Sequence, residues 1–187
     1  IQPLPMRGPL EERMEGQVLL KLGDNITTDH ILPAGAKALP LRSNIPAISE
    51  YLFERIDPHF TQRARQLGGG FIVGGENYGQ GSSREHAALA PMYIGIRAIV
   101  AKSYSRIHRS NLINFGILPL MFRDPEEFQK VQQGDQLRIK EVRSGLKVNG
   151  VFEVENLVQQ KVFEASHGLN EREIEILLAG GLLNYTR

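Results

Sequence analysis

Three short apolar segments alternate with two helical segments in the middle of the chain, and this alternation constrains the fold more than any other feature. The segments are, in order, Phe71–Val73, a helix from about Ser83, Ile96–Ala101, Ser105–Phe115 and Ile117–Phe122. Strand–helix–strand–helix–strand order is typical of parallel strands joined by right-handed crossovers. The sequence therefore predicts an α/β domain with a partly parallel sheet.

The flanking sequence extends this unit at both ends. Further strands are predicted at Gly16–Leu22 and at 137–140, 146–149 and 162–164, with a helix over 47–56. A last helix begins after Asn170, which forms a capping-box pattern with Glu173 and is followed by a stop at Gly180. Residues 1–15 contain three prolines and are interpreted as a linker or entry arm. A single domain is expected over 16–187.

Composition excludes several classes of function. Lys and Arg total 22 against 21 Asp and Glu, so the chain lacks the basic excess typical of nucleic-acid-binding domains. It has no cysteine, which excludes disulfides, thiolate catalysis and an iron–sulfur cluster held by this chain alone. Five scattered histidines predict no metal site. Without a membrane-length apolar run or a visible signal peptide, the cytoplasm is the expected compartment.

The segment from Gly74 to His86, GGENYGQGSSREH, holds the densest set of candidate site residues. It follows a predicted strand, and Ser82 and Glu85 fit a capping box at the start of the next helix. Free N–H groups at such a helix start attract anions, and the Arg84 guanidinium suits a carboxylate or phosphate. Locally, a glycine turn before a capped helix explains the pattern equally well. No Lys follows the glycines, as a phosphate-binding P-loop would need.

Three segments together resemble the aconitase superfamily. They are Gly74–His86, Thr27–His30 (TTDH) and Ala98–Leu120. The resemblance implies a three-layer swivelling β/β/α domain. It also implies a role in the hydro-lyase reaction of the tricarboxylic acid cycle that isomerises citrate and isocitrate through cis-aconitate. The [4Fe–4S] cluster would be held by other domains, on the same polypeptide or on a large subunit, and the substrate would be a tricarboxylate.

The resemblance also assigns roles to residues. Ser82 matches the serine that acts as the catalytic base, and Ser83 and Arg84 match groups that bind substrate. Thr28 and Asp29 match residues that line the active site, and Asp29 is expected to orient an arginine. Arg42 is the best match for a further substrate arginine, although its spacing from the TDH signature is one residue longer than in mitochondrial aconitases.

Three alternative hypotheses compete with the interpretation of this chain as an aconitase domain. Small subunits of isopropylmalate or homoaconitate isomerase carry the same serine loop, but usually with TDQ and SSREHAPWA where this chain has TDH and SSREHAALA. An RNA-binding regulatory module is disfavoured by the near-zero net charge. An anion-binding domain without catalysis stays open. A basic helix face formed by Arg106, His108 and Arg109 is expected to be solvated or salt-bridged.

Overall fold

The computed structural model describes residues 7–187, which form seven strands and nine short helices. The strands are β1 (Met14–Lys21), β2 (Gly70–Gly74), β3 (Ile96–Ala101), β4 (Leu118–Phe122), β5 (Gln136–Ile139), β6 (Val151–Asn156) and β7 (Lys161–Ser166). The helices are α1 (Thr28–Ile31), α2 (Ile45–Ser49), α3 (Phe60–Leu67), α4 (His86–Tyr93), α5 (Arg106–Asn114), α6 (Glu127–Lys130), α7 (Val142–Gly145), α8 (Glu171–Ala179) and α9 (Leu182–Tyr185). A 3-10 turn spans Leu39–Leu41.

All seven strands belong to one mixed sheet that closes on itself in the order β1-β2-β3-β4-β7-β6-β5. Strands β1 to β4 are parallel, and the remaining pairs are antiparallel. The predicted α/β class with a partly parallel sheet is confirmed. The predicted alternation from β2 through α4, β3 and α5 to β4 is also confirmed.

The central strands are buried on both faces, which explains their continuous apolar sequences. In β2, Phe71 and Val73 point into a core formed mainly by strand residues, whereas Ile72 packs with α2, α4 and the segments around them. In β3, Val100 and Ile99 divide between the same two cores. The period-two alternation of a strand therefore gives the domain one core inside the closed sheet and another beneath the helices.

Two predicted elements differ from the structure, and each contains a non-glycine residue with positive φ. The helix predicted over 47–56 is helical only as α2 and continues as turns, with Phe53 at φ 53° donating its N–H to Ile31 O. The strand predicted at 146–149 is absent from that position. Asn149 has φ 62°, and the strand β6 begins beyond it at Val151.

The two ends of the described chain are tied to the domain. The structure does not describe residues 1–6, so the predicted linker or entry arm falls partly outside it. Of the rest, Arg7 donates to Ile96 O at 2.8 Å, Leu10 is buried in the core, and β1 already begins at Met14. At the other end the predicted Asn170 capping box is formed.

No helix of residues 7–187 combines the length and the apolar character needed to cross a membrane.

Candidate active site

Both signature segments follow the carboxyl ends of neighbouring parallel strands, β1 and β2. We call residues 75–85, between β2 and α4, the serine loop. Backbone hydrogen bonds join it to the segment around α1: Thr28 N donates to Gln80 O at 2.8 Å, and Gly79 N donates to Ile26 O at 2.7 Å. The two segments that the sequence singles out therefore form one surface, at the edge of the sheet where open α/β proteins bind ligands.

The serine loop is not the start of a helix, which corrects the predicted capping box. Helix α4 begins at His86, and its N-cap Glu85 makes no side-chain capping bond. The hydroxyl of Thr28 instead donates to Ser82 O at 2.9 Å, and Gly81 has φ 105°. Because these long-range and backbone constraints hold the chain out of helical geometry, the N–H groups of 82–84 are not a helix N-terminus.

Thr28 is buried, while the neighbouring Thr27 caps α1. Thr27 Oγ1 accepts from His30 N at 3.1 Å, and His30 Nδ1 accepts from Thr27 N at 2.9 Å. This reciprocal capping box explains the TTDH sequence at this position. Thr28 holds the serine loop through its hydrogen bond to Ser82 O, and His30 completes the capping box at the start of α1.

The Asp29 carboxylate binds two arginine side chains and one backbone N–H of the candidate site. It accepts from Arg84 Nη1 at 2.9 Å, from Arg55 Nη1 at 2.9 Å and from Ala34 N at 3.1 Å. The Ala34 N–H and then the Arg84 guanidinium hold the pKa of Asp29 below its usual value. Arg84 also donates to Leu32 O at 3.1 Å. Asp29 therefore fixes the direction of the Arg84 guanidinium.

Arg55 was missed by the sequence analysis. It lies beyond α2 in a run of turns, 26 residues from Asp29, and no motif contains it. Only the fold brings its guanidinium to the carboxylate. No local pattern in the sequence could have identified it.

Arg42, Ser83 and Arg84 line a cleft of about 370 Å³, which we call the arginine cleft. Its other lining residues are Leu32, Pro33, Ala34, Ala38, Leu39, Ile48, Glu85 and His86. His86 Nε2 lies 2.9 Å from Arg42 O and joins the segment that carries Arg42 to α4. Two guanidinium groups on separate segments thus face a cleft that also has an apolar wall.

Ser82 lies on a second, narrower feature, which we call the serine crevice. Thr28, Ser82, Ser83 and Arg84 line it on the loop side, and Ile107, His108 and Asn111 line it on the α5 side. Gly79 and Gly81 complete the lining. Ser83 and Arg84 line both features. Arg42 lines only the arginine cleft, and Ser82 lines only the serine crevice. Five of the six predicted site residues therefore line these two adjoining features, and the sixth, Asp29, contacts them through Arg84.

His108 contradicts the predicted solvated or salt-bridged basic face on α5. It is only 2% exposed, and neither ring nitrogen has a hydrogen-bond partner among residues 7–187. Burial lowers its pKa to about 4, so the imidazole is neutral at pH 7. Arg109 agrees with the prediction, since it forms an ion pair with Glu173 at 3.1 Å. Of the three residues, only Arg106 is an exposed cation without a partner in the described chain.

Comparison with known proteins places these loops in a family context. Residues 57–125 match the Aconitase C-terminal domain family. The chain is 39% identical over 167 residues to 3-isopropylmalate dehydratase small subunit 2 of Archaeoglobus fulgidus, covering 89% of this chain and 91% of that protein. It is 32% identical to a probable mitochondrial aconitate hydratase of Dictyostelium discoideum, covering 95% of this chain but only 26% of that protein.

A solved structure gives the same result in three dimensions. The crystal structure of 3-isopropylmalate dehydratase from Methanocaldococcus jannaschii superposes with a TM-score of 0.75 and 32% sequence identity. The match covers 93% of each chain. The chain therefore spans nearly the whole of these shorter relatives and about a quarter of the aconitate hydratase.

Proposed function

Because the chain belongs to the aconitase C-terminal domain family, we propose that it supplies the serine and arginine side of a hydro-lyase active site. The observation that carries the proposal is the joining of two loops, which brings Ser82, Ser83 and Arg84 next to Thr28 and Asp29. Hydro-lyases of this kind remove water from one carbon pair of a hydroxy-polycarboxylate and add it back. The family's swivelling β/β/α layering forms part of the proposal, supported by the two cores on either side of the central strands.

The geometry supports a division of roles. Ser82 is exposed and its hydroxyl makes no hydrogen bond within residues 7–187, so it is free to remove a proton from a carbon next to a carboxylate. Arg84, held by Asp29, offers a guanidinium to that carboxylate, and Arg42 faces the same cleft. A fixed cation also strengthens the acidity of the adjacent C–H bond in the transition state.

The family's [4Fe–4S] cluster does not fit this chain. The sequence has no cysteine, and residues 7–187 hold no group of three His, Asp or Glu side chains placed to bind a metal ion. We therefore assign the cluster to a partner, either other domains of the same polypeptide or a large subunit. The small-subunit relatives favour a separate large subunit.

The substrate is proposed to be a hydroxy acid with at least two carboxylates, and two branches of the family are candidates. The sequence motifs TDH and SSREHAALA favour citrate and isocitrate. The 39% identity to one isopropylmalate dehydratase small subunit, against 32% and 34% to two aconitate hydratases, and the apolar wall of the arginine cleft favour isopropylmalate. A branched apolar substituent would pack against Leu32, Pro33 and Leu39, where a third carboxylate would lack a partner.

The two branches can be separated with the chain and its cluster-bearing partner assembled together. We expect turnover of isopropylmalate to exceed turnover of citrate and cis-aconitate by about tenfold or more, since one unpaired carboxylate costs at least 1.4 kcal/mol. Higher kcat/KM for citrate would assign the aconitase branch. Absence of turnover with every hydroxy-polycarboxylate would reject the hydro-lyase proposal.

Arg84→Lys is expected to raise KM roughly tenfold although the charge is kept. A point ammonium reproduces neither the fork on a carboxylate nor the two contacts to Asp29 and Leu32 O. Steady-state kinetics of the assembled enzyme measures this change. Arg106→Lys, on an exposed position of α5, serves as the matched control and should leave KM unchanged. Equal KM values for wild type and Arg84→Lys would remove Arg84 from substrate binding.

A further inference from the structure

Ser82 needs a source of electrostatic support that a helix end does not provide here. A serine hydroxyl is a weak base unless hydrogen-bond donors or cations stabilise its alkoxide. The sequence suggested that the N-terminus of α4 does this, but α4 begins four residues later, at His86. The first N–H groups of that helix are already used: Ala87 N donates to Arg84 O, and Ala88 N donates to Glu85 O.

Unpaired donors do lie beneath Ser82, on α5. His108 and Asn111 are three residues apart and share a face of the helix, and both line the serine crevice with Ser82. Asn111 is 9% exposed, and its Nδ2 has no partner among the described residues; the same is true of both ring nitrogens of His108. Three buried polar atoms thus remain unsatisfied in one place, at a cost to stability that such groups usually avoid.

Water in the serine crevice and a movement of the ring do not account for the two nitrogens of His108, whereas Asn111 also lines a separate, larger pocket of about 380 Å³. The serine crevice is too narrow to admit a water-sized sphere. The imidazole is also fixed, because the backbone of Gly79 lies so close that a Cβ there would be 2.2 Å from the ring. A partner for the His108 ring can therefore come from the opposite side of the crevice or from the Tyr78 hydroxyl, which is also buried without a partner among the described residues and whose ring centroid lies 5.5 Å from that of the imidazole.

Few groups on the opposite side of the crevice can accept a hydrogen bond. Arg84 carries only donors, which Asp29 and Leu32 O occupy. The Thr28 hydroxyl donates to Ser82 O, and its oxygen can still accept, as can the oxygens of the two serine hydroxyls. Ser83 also faces the arginine cleft, whereas Ser82 lines only the serine crevice.

We propose that His108 and Asn111 are positioning residues that donate hydrogen bonds to the Ser82 oxygen when the site closes on substrate. The inference rests on the proposed function, since it supplies the stabilisation that Ser82 needs as a base. The neutral state of the His108 ring agrees with this role, because a neutral imidazole carries one N–H donor without adding a charge to the crevice.

The test compares catalysis with stability in the same variants. In the assembled enzyme, His108→Leu should lower kcat about 100-fold, as loss of one oxyanion donor does, and leave KM within about threefold. Asn111→Leu should act in the same direction. His108→Gln, which restores an N–H donor, should recover about tenfold of the lost kcat.

The melting temperature of these leucine variants should rise although their kcat falls. Because each leucine removes unsatisfied buried atoms, His108→Leu and Asn111→Leu should raise the melting temperature of the chain by about 4 °C. A residue held only for structure would lower the melting temperature when replaced. His167→Leu is the matched control: His167 is also buried, but it lies outside the crevice, and its Nδ1 accepts from Leu169 N while only its Nε2 has no partner among the described residues. It should lower the melting temperature and leave kcat unchanged.

The outcomes separate this inference from the proposed function. If the wild-type assembly turns over a hydroxy-polycarboxylate and His108→Leu keeps its kcat, the positioning role is wrong and the hydro-lyase proposal stands. If the kcat of His108→Leu falls and His108→Gln recovers nothing, donation to Ser82 is wrong. If the wild-type assembly has no turnover, both proposals fail.

Discussion

Replacing Ser82 by alanine is expected to lower the turnover of the assembled enzyme by roughly 10³-fold while KM changes little. The hydroxyl is proposed to be the base, and a positioned general base contributes about 10²- to 10⁴-fold to a rate. KM should hold because the substrate carboxylates are bound by Arg42 and Arg84, which the substitution does not touch. Ser82 is exposed, so the variant should fold normally.

Two further serine variants sharpen this test. Ser83→Ala should mainly raise KM, because Ser83 lines both the arginine cleft and the serine crevice. Ser144→Ala removes an exposed hydroxyl that bonds Glu12, outside both features, and should leave kcat and KM unchanged. A normal kcat for Ser82→Ala combined with a collapse for Ser83→Ala would transfer the role of base to Ser83.

The second large effect concerns acid stability. The pKa of His108 falls from 6.5 to about 4 on burial, so between these values the unfolded chain binds more protons than the folded one. The penalty for protonating the buried ring is absent above pH 6.5 and grows as the pH falls towards 4, so the folded state loses stability over that interval. The loss from this one group amounts to about 3 kcal/mol.

Denaturant unfolding of the chain at pH 7, 5.5 and 4 measures this loss. Wild type should lose about 3 kcal/mol more than His108→Leu over that interval. Carboxylates whose pKa is lowered, such as Asp29 and Asp57, also weaken the fold in acid, but they contribute equally to both proteins and cancel in the difference. Parallel stability curves for wild type and His108→Leu would mean that His108 is not held neutral by burial.

The proposed positioning role has a cost that the stability data can reveal. A buried histidine with two unpaired nitrogens weakens the fold at every pH, and more so in acid. Sites that keep such groups usually do so for function, because local strain or unsatisfied polarity is otherwise removed by substitution. If His108→Leu is more stable than wild type and has a lower kcat, His108 lowers the stability of the fold and raises the turnover of the enzyme.

Local sequence determined the central α/β unit and the residues of the proposed site. Continuous apolar runs specified β2, β3 and β4, because strands buried on both faces need no polar side. The Asn170 capping box also formed as predicted, because both of its hydrogen bonds lie within one helical turn. The TTDH and SSR motifs identified Thr28, Asp29, Ser82, Ser83 and Arg84, which the fold brings onto one surface.

Only the tertiary structure decided how those residues are supported. The Ser82–Glu85 pattern satisfied the local rule for a helix start, yet a hydrogen bond from Thr28, 54 residues away, holds the loop instead. Arg55 reaches Asp29, and His108 turns inward beneath Gly79, through packing that the local sequence does not encode. Closure of the sheet likewise depends on the pairing of β1 with β5. Local sequence determines which polar side chains lie on each loop, whereas long-range contacts determine which hydrogen-bond partners those side chains have in the folded domain.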